Sequence, residues 1–248
     1  MQVTVLGSGT AVPAPDRSAS GILVRARGED LLLDLGPGVL ARAGAAGVDP
    51  VTIRYVLLSH LHSDHVLDLV TLLQAIDSGR ERRTSPLTVV GCRGTDRLVW
   101  GLLSLFPGIG PDGYRLEILE VADEDFTLGP WVVRSGRTGH TPDSVGYRIE
   151  REGRALVYTG DAADCGAIVA LARGADLLVC EASHPAGGAT PDHLTPDAAG
   201  SIAAAAGVGR LLLTHLYPAA AVSDPTAAAR RYYSGLIDVA VDGMSIEL

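Results

Sequence analysis

The sequence predicts an α/β fold in which residues 1–248 form one domain. Short apolar runs typical of buried strands alternate with amphipathic runs typical of helices. Glycine and proline stand at the joins between these runs, where turns and loops are expected. Hydrophobic residues make up 47% of the chain, which allows a substantial core, and no shift in composition indicates a second domain.

Taken in chain order, the apolar runs predict strands that are joined by hairpins and helices. Hairpins are expected at residues 27–30, across Gly129 and Pro130, and over residues 145–158. The expected strands are residues 2–6, 21–26, 31–35, 55–58, 87–90, 114–121, 126–128, 131–135, 155–158, 177–180 and 211–213. The expected helices are residues 39–46, 66–78, 96–105 and 196–206, the last with Thr195 as N-cap and Gly207 at its end.

The charge balance and the cysteines restrict the class of protein. A formal charge of -9 at pH 7 argues against a protein that grips long nucleic acids, since such proteins carry a basic surface. The three cysteines, Cys92, Cys165 and Cys180, are odd in number and widely spaced, which favours a reducing compartment. The chain shows neither a charged leader nor an apolar stretch of membrane-spanning length, so a cytoplasmic location is expected.

Four side chains able to bind a metal follow the apolar run 55–58. They are His60, His62, Asp64 and His65. In an extended turn His60 and His62 project to the same side, while Asp64 and His65 enter the following helix and face another point. The spacing indicates two neighbouring metal ions, and these ligands suit zinc and equally manganese or iron. Ordinary hydrogen bonding of each histidine is the alternative, which four ligands at this spacing disfavour.

Several later apolar runs also deliver an ionisable residue at their carboxyl ends. These residues are His140 after run 131–135, Asp161 after 155–158, Glu181 and His184 after 177–180, and His215 after 211–213. Active sites of sheet proteins lie at such strand ends, where loops converge. All seven histidines are expected in loops at or after strands. Segment 7–18, which contains glycine and proline, is expected to be a further loop near this site.

The chain resembles the metallo-β-lactamase fold superfamily along nearly its whole length. The resemblance rests on His60-Leu61-His62-Ser63-Asp64-His65, with His140, Asp161 and His215 downstream. It implies a four-layer αββα sandwich, in which two mixed β-sheets pack face to face and helices cover the outer faces. Residues 6–13, 34–38, 140–147, 181–183 and 193–195 are similar to the short forms of the RNase Z group and to actinobacterial cyclic nucleotide phosphodiesterases.

The resemblance implies a role for each matching position. Two divalent transition metal ions, zinc in the first place and manganese or iron as alternatives, would lower the pKa of a shared water and give a bridging hydroxide nucleophile. Asp64 would also orient that nucleophile or take its proton. Three side chains would bind each metal and one would bridge them: His60, His62 and His140; Asp64, His65 and His215; and Asp161 as the bridge.

Glu181 and His193 match a pair that, in RNase Z-like enzymes, places an imidazole beside the scissile phosphate. A carboxylate raises the pKa of an imidazole and favours the cation, which stabilises an oxyanion or protonates a leaving alkoxide. The alternative for His193 is a hydrogen bond at the helix entry beside Thr195. Asp64, Glu181 and His193 are therefore the candidate catalytic residues.

One departure from the RNase Z pattern bears on the substrate. Enzymes of that group that process tRNA carry a long arm, usually between the positions of His140 and Asp161, whereas only the hairpin 145–158 connects them here. Together with the acidic charge, this moves the expected substrate from tRNA to a small phosphodiester such as 3',5'-cyclic AMP. Neither long nucleic acid nor a membrane is expected as a partner, and a homodimer is compatible with the sequence.

A site with the same metal ligands is also compatible with other functions. They are an RNA 3'-end endonuclease of the RNase Z type, a thioester, ester or lactam hydrolase, and a metal-binding scaffold without catalysis. A lactamase is disfavoured because its commonest forms carry a cysteine where Asp161 stands. His184 is more simply a turn residue, and Ser144 either contacts a phosphate or only closes a turn.

Overall fold

The computed structural model describes residues 1–79, 83–163, 166–188 and 190–248, which contain fourteen strands, eight α-helices and one short 3-10 helix (Pro50–Thr52). The strands are β1 (Gln2–Gly7), β2 (Gly21–Ala26), β3 (Glu29–Leu33), β4 (Tyr55–Leu58), β5 (Leu87–Gly91), β6 (Leu116–Glu120), β7 (Asp125–Leu128), β8 (Trp131–Arg137), β9 (Val145–Arg151), β10 (Arg154–Tyr158), β11 (Leu177–Glu181), β12 (Arg210–Thr214), β13 (Leu236–Val239) and β14 (Ser245–Glu247). The helices are α1 (Val39–Ala45), α2 (Ser63–Val66), α3 (Asp68–Asp77), α4 (Thr95–Leu105), α5 (Gly166–Ala172), α6 (Pro196–Ala206), α7 (Pro218–Ala221) and α8 (Pro225–Arg230).

The strands form two mixed sheets of seven strands each, and each sheet has an antiparallel and a parallel half. The first sheet has the order β14-β1-β2-β3-β4-β5-β6, antiparallel as far as β3 and parallel from there. The second has the order β13-β12-β11-β10-β9-β8-β7, parallel as far as β10 and antiparallel from there. Because parallel strands end at the same edge of a sheet, the loops that follow β10, β11 and β12 emerge together.

Alternation of side chains along the strands produces four layers. In β2, Ile22 and Val24 face the core between the sheets, while Leu23 packs among the helices of the first sheet. In β10, Leu156 faces the same central core, while Val157 packs with α5 and α6 on the outer face of the second sheet. The expected αββα sandwich is confirmed, with one apolar core between the sheets and one beneath each helical layer.

Every strand and helix expected from the sequence is present, with ends that differ by one or two residues, except for one helix. The first hairpin turns through Arg27 (φ 48°) and Gly28 (φ 77°), both left-handed, as a two-residue hairpin loop requires. The Thr195 hydroxyl accepts a hydrogen bond from the Ala198 N–H (3.4 Å) at the start of α6, and Gly207 ends that helix with φ 64°. Local sequence signals were therefore sufficient to predict this hairpin turn and these helix caps.

The helix expected over residues 66–78 is interrupted, and this expectation was wrong. It consists of α2 and α3 with a break at Leu67. The cause is a long-range contact, because the Leu35 N–H donates to the His65 carbonyl (2.7 Å) and the Asp68 N–H donates to the Leu35 carbonyl (2.8 Å). These groups are thereby withdrawn from a continuous helical ladder. The sequence reading also missed α5, α7, α8, β13 and β14.

Candidate metal centre

The candidate metal ligands converge where strands of the two sheets end. β4 is followed by the His60 loop, β8 by the His140 loop, β10 by Asp161 and β12 by His215. The sheets are tied together at this edge, because the Val145 N–H of β9 donates to the Ser59 carbonyl after β4 (2.9 Å). Six of the seven histidines lie in loops as expected, and the seventh, His65, lies in the short helix α2.

A first group of ligand atoms comes from His60, His62, His140 and Asp161. The atoms of this group all lie within 4.8 Å of one another. His62 Nδ1 lies 3.2 Å from His140 Nε2. Asp161 Oδ2 lies 3.7 Å from His60 Nε2 and 3.7 Å from His140 Nε2. Three imidazole nitrogens and one carboxylate oxygen thus surround a common point, the usual ligand number for zinc.

A second group is formed by Asp64, His65 and His215, which are all buried. Asp64 Oδ2 lies 3.4 Å from His215 Nε2 and 3.7 Å from His65 Nε2. Asp161 Oδ1 lies 3.3 Å from each of these two imidazole nitrogens. The two oxygens of Asp161 therefore face different groups, which is the arrangement that a bridging carboxylate requires.

Unpaired polar atoms show that this cluster fits divalent cations. His60 Nε2, His65 Nε2 and Asp161 Oδ1 are buried and form no hydrogen bond within the described residues. A buried polar atom without a partner costs free energy, and these three all point into the cluster. Nitrogen and carboxylate donors suit zinc, manganese and iron, so the residues present fit the expected ions.

A shell of hydrogen bonds orients the histidine rings. Four rings have Nδ1 engaged, which leaves Nε2 for a metal, whereas His62 turns Nδ1 inward. Such outer contacts fix the tautomer and the ring orientation of metal ligands. The four Nδ1 contacts are His60 with Ser59 Oγ (3.1 Å), His65 with Asp34 Oδ2 (2.7 Å), His140 with the Asp192 carbonyl (2.7 Å) and His215 with Ser183 Oγ (2.9 Å).

Asp34 is the centre of this shell, and the sequence reading did not identify it as a site residue. Its carboxylate is fully buried at the end of β3. It accepts hydrogen bonds from the Ser59 N–H (2.7 Å) and hydroxyl (2.7 Å), from the Tyr158 hydroxyl (2.6 Å) and from His65. One carboxylate thus connects the first metal-binding loop, α2 and the second sheet. The sequence signals for Asp34 were its place near the end of the apolar run 31–35 and its inclusion in the RNase Z-like segment 34–38.

Burial and neighbouring charge set protonation in the cluster. Burial, with the nearby charge of His65, lowers the pKa of His60 to about 2, so its imidazole stays neutral and can bind a cation. Burial raises the pKa of Asp64, but the hydrogen bond from His215 and the charge of His65 outweigh it and bring that pKa to about 2. The pKa of Asp161 also lies well below its usual value, because the charges of His215 and His65 outweigh burial. Both carboxylates are therefore anionic at neutral pH.

Glu181 and His193 form the expected pair. His193 Nδ1 lies 3.1 and 3.2 Å from the two carboxylate oxygens of Glu181, which is fully buried at the end of β11. The same Nδ1 lies 3.9 Å from Asp161 Oδ2, so the ring stands beside the first group. Burial lowers the pKa of His193, but the hydrogen bond and charge of Glu181 raise it more, so the pKa lies above its ordinary value. The N-cap of α6 is Thr195 alone, so His193 is not used for capping.

The remaining candidates divide between a turn and the rim of the site. Ser144 is buried and closes a turn, because its hydroxyl accepts from the Thr141 N–H (2.9 Å) and contacts Thr138. His184 lies at a bend just before the turn over residues 185–188, and its ring also stacks on Tyr217 beside the cluster. Segment 7–18 reaches the site at Ser8, whose carbonyl accepts from the Leu216 N–H (3.4 Å).

Two of the three cysteines, Cys92 and Cys180, are buried in apolar cores. Cys92 belongs to the central core, and burial raises the pKa of its thiol to about 11. Cys180 is buried beneath the helices of the second sheet. Cys165 lies outside the described residues. In the part of the chain that is described, no helix has the length and apolar character needed to cross a membrane.

An αββα sandwich that gathers histidines and aspartates at its strand ends is the architecture of metal-dependent hydrolases of the metallo-β-lactamase fold. Residues 30–216 match the family model described as the β-lactamase superfamily domain. In an alignment 280 positions long, the chain is 34% identical to ribonuclease Z from Mycobacterium bovis, and this alignment covers 100% of this chain and 98% of that protein.

Two solved structures extend the comparison. The metallo-β-lactamase fold protein YhfI from Bacillus subtilis is 28% identical, with a TM-score of 0.87 over 100% of this chain and 99% of that one. The short form of human tRNase Z is 25% identical, with a TM-score of 0.81 over 100% and 99% of the two chains. The chain belongs to the β-lactamase superfamily, and it is a metal-dependent hydrolase of ester bonds with RNase Z-like relatives.

Proposed function

We propose that this hydrolase is a dinuclear phosphodiesterase that acts on a small phosphodiester such as 3',5'-cyclic AMP. The observation that carries the proposal is the position of His193. Its ring is held by Glu181 on one side and stands beside Asp161, where the two ligand groups meet. An imidazole in this place can reach a phosphate that both groups address and can protonate a leaving alkoxide, whereas lactam hydrolysis does not need it.

The proposed ligands are the residues of the two groups, with Asp161 between them. His60, His62 and His140 would hold one divalent ion, and Asp64, His65 and His215 the other. Zinc is the expected metal, with manganese and iron as alternatives. When bound, the ions would supply Lewis acidity toward the phosphate and a water of lowered pKa.

The side chains of the chain itself perform the remaining steps in this proposal. Asp64 is anionic, and its carboxylate faces the second group, where it can orient water or accept a proton. His193, whose pKa is raised by Glu181, carries a proton to the leaving oxygen. The Ser183 hydroxyl donates to Glu181 and contacts His215 Nδ1 (2.9 Å), which links the proton donor to a metal ligand.

The connection between His140 and Asp161 favours a small substrate over tRNA. It consists of the β9–β10 hairpin, whose strands pair from Tyr147 opposite Tyr158 to Arg151 opposite Arg154. The turn contains only Glu152 and Gly153, so this part of the chain forms no protruding arm. A formal charge of -9 also opposes a long polyanion.

A second candidate is cleavage at the 3' end of RNA, and two of the reported comparisons favour it. One mycobacterial relative that aligns over the whole chain is named ribonuclease Z, and one solved neighbour is the short form of human tRNase Z. A precursor tRNA with a 3' trailer therefore belongs in the test. The two candidates use the same centre and differ in the substrate that reaches it.

The test is a substrate panel after reconstitution with zinc or manganese. It contains 3',5'-cyclic AMP, bis(p-nitrophenyl) phosphate, a precursor tRNA and a thioester. Hydrolysis of the two small diesters, abolished in His62→Ala and Asp64→Ala variants, is expected. Precursor tRNA as the preferred substrate would move the assignment to the second candidate. If metal-loaded enzyme hydrolyses no diester faster than these variants do, the proposal is wrong.

A further inference from the structure

Three aromatic rings form a corner at the rim of the metal centre. The rings of His184 and Tyr217 are parallel within 8°, with their centroids 5.5 Å apart. The His193 ring stands nearly perpendicular to both, at 80° and 5.6 Å from His184 and at 75° and 6.1 Å from Tyr217. Tyr217 also lies 5.9 Å from the ring of the proposed ligand His215. The rings of His184 and Tyr217 therefore lie next to His193, the proposed proton donor, at the rim of the metal centre.

Within the described part of the chain, the polar side-chain atoms of His184 and Tyr217 have no hydrogen-bond partner. Among the described residues, neither the His184 imidazole nor the Tyr217 hydroxyl forms a hydrogen bond, and both side chains are only half-buried. Their backbones are nevertheless fixed, because the Tyr217 N–H donates to the Ser183 carbonyl (3.2 Å) and the His184 N–H donates to the Leu194 carbonyl (3.4 Å). Fixed aromatic rings with unused polar tips are suited to a flat, polar ligand.

We infer that the His184/Tyr217 pair binds the nucleobase of the substrate, which makes this phosphodiesterase selective for nucleotides. The inference rests on the proposed function. In a nucleotide the base is joined to phosphorus through one sugar, so a phosphate beside His193 places its base next to the two rings that His193 contacts. The base stacks on an aromatic ring, and the imidazole and phenol provide hydrogen bonds to its edge.

The competing explanation is that the two rings only pack the loop after β11 against the segment after β12. Ligand binding separates the two explanations. 5'-AMP and ribose 5-phosphate share the sugar and the phosphate, and only 5'-AMP carries a base. A packing role would affect both ligands alike, whereas a base-binding role affects 5'-AMP alone.

The experiment measures binding of both ligands to the metal-loaded enzyme by calorimetry. Tyr217→Leu and His184→Leu should each weaken 5'-AMP about tenfold, the loss expected for one stacking ring, and leave ribose 5-phosphate unchanged. Tyr217→Phe keeps the ring and should show a smaller loss. Tyr232→Leu is the matched control, since Tyr232 is 56% exposed after α8, and it should bind both ligands as the wild type does.

Two results would overturn the inference. One is equal weakening of both ligands in the variants, and the other is wild-type enzyme that binds 5'-AMP no more tightly than ribose 5-phosphate. Thermal unfolding of each variant accompanies the titration, and Tyr217→Phe keeps the test usable if a leucine variant unfolds. Failure of the proposed function would appear separately, as wild-type enzyme that cleaves no phosphodiester.

Discussion

Replacing Asp34 with asparagine is expected to weaken both the fold and metal binding. The position itself tolerates asparagine, since its left-handed φ of 58° is one that Asn adopts more readily than most residues. Asparagine cannot, however, accept all four hydrogen bonds that the Asp34 carboxylate accepts. Oδ1 accepts one bond from the Ser59 N–H, and Oδ2 accepts three, from the Ser59 hydroxyl, Tyr158 and His65. Asparagine has one acceptor oxygen, and its amide nitrogen must face a donor.

The magnitude follows from the better of the two amide orientations. With the amide oxygen toward the three donors, only the Ser59 N–H loses its acceptor. An unsatisfied buried donor costs about 1–3 kcal/mol, so the free energy of unfolding should fall by that amount. Because Asp34 orients His65 through Nδ1, metal affinity should fall as well, by about 10–100-fold, the usual effect of changing a contact behind a metal ligand.

Two measurements check this prediction. Denaturant unfolding of the metal-free protein gives the stability, and competition with a chromophoric chelator gives the metal affinity. Asp125→Asn is the control, because Asp125 is 63% exposed and pairs with Arg134 far from any ligand. It should bind metal as the wild type does. An Asp34→Asn protein with wild-type metal affinity would refute the orienting role of this carboxylate.

Three further predictions follow from the same geometry. Gly160→Ala should lower the free energy of unfolding by about 2–4 kcal/mol, because the backbone φ here is 57° and an added Cβ would lie 2.4 Å from the Cβ of Ser59. Gly153→Ala is the control, because its added Cβ would have open space around it and the free energy of unfolding should fall by only about 1 kcal/mol. Equal unfolding midpoints for the two would contradict this. Glu181→Gln should move the basic limb of the pH profile of kcat to lower pH. The His193 cation is the active form, so the rate falls as the pH rises through the raised pKa of His193. Loss of the Glu181 carboxylate lowers that pKa, and the fall in rate then begins at lower pH. An unmoved limb would remove His193 as the acid. Chelator treatment should lower Tm by about 5–10 °C for each ion removed, because a ligand at a hundred times its Kd stabilises the folded state by about 2.7 kcal/mol. An unchanged Tm after confirmed metal removal would argue against ions bound to the folded state.

The sequence predicts those elements of the fold whose signals are local. β4 is an apolar run buried on both faces, and α6 carries its own N-cap and C-terminal glycine. β14 carries no such signal, because it is three residues long and is stabilised by pairing with β1 at the other end of the chain. The break in the helix after His65 depends on Leu35, thirty residues earlier, and cannot be read from the helical segment itself.

The sequence predicts those site residues whose side-chain type itself indicates their role. Histidines at strand ends indicate metal ligands, and the structure brings all the proposed ones together. Asp34 was missed because its donors come from residues 25 to 124 positions away. The Asp192 carbonyl was missed because a backbone group has no sequence signal. The ligand and catalytic roles, and the single domain over residues 1–248, stay predictions.

Anomalous X-ray scattering from crystals grown with zinc or manganese tests the paired-metal centre most directly. The centre described here predicts two peaks in each chain. One should lie among His60, His62 and His140 and the other among Asp64, His65 and His215, with Asp161 in contact with both. A single peak, a peak elsewhere, or no bound metal in folded protein would contradict it.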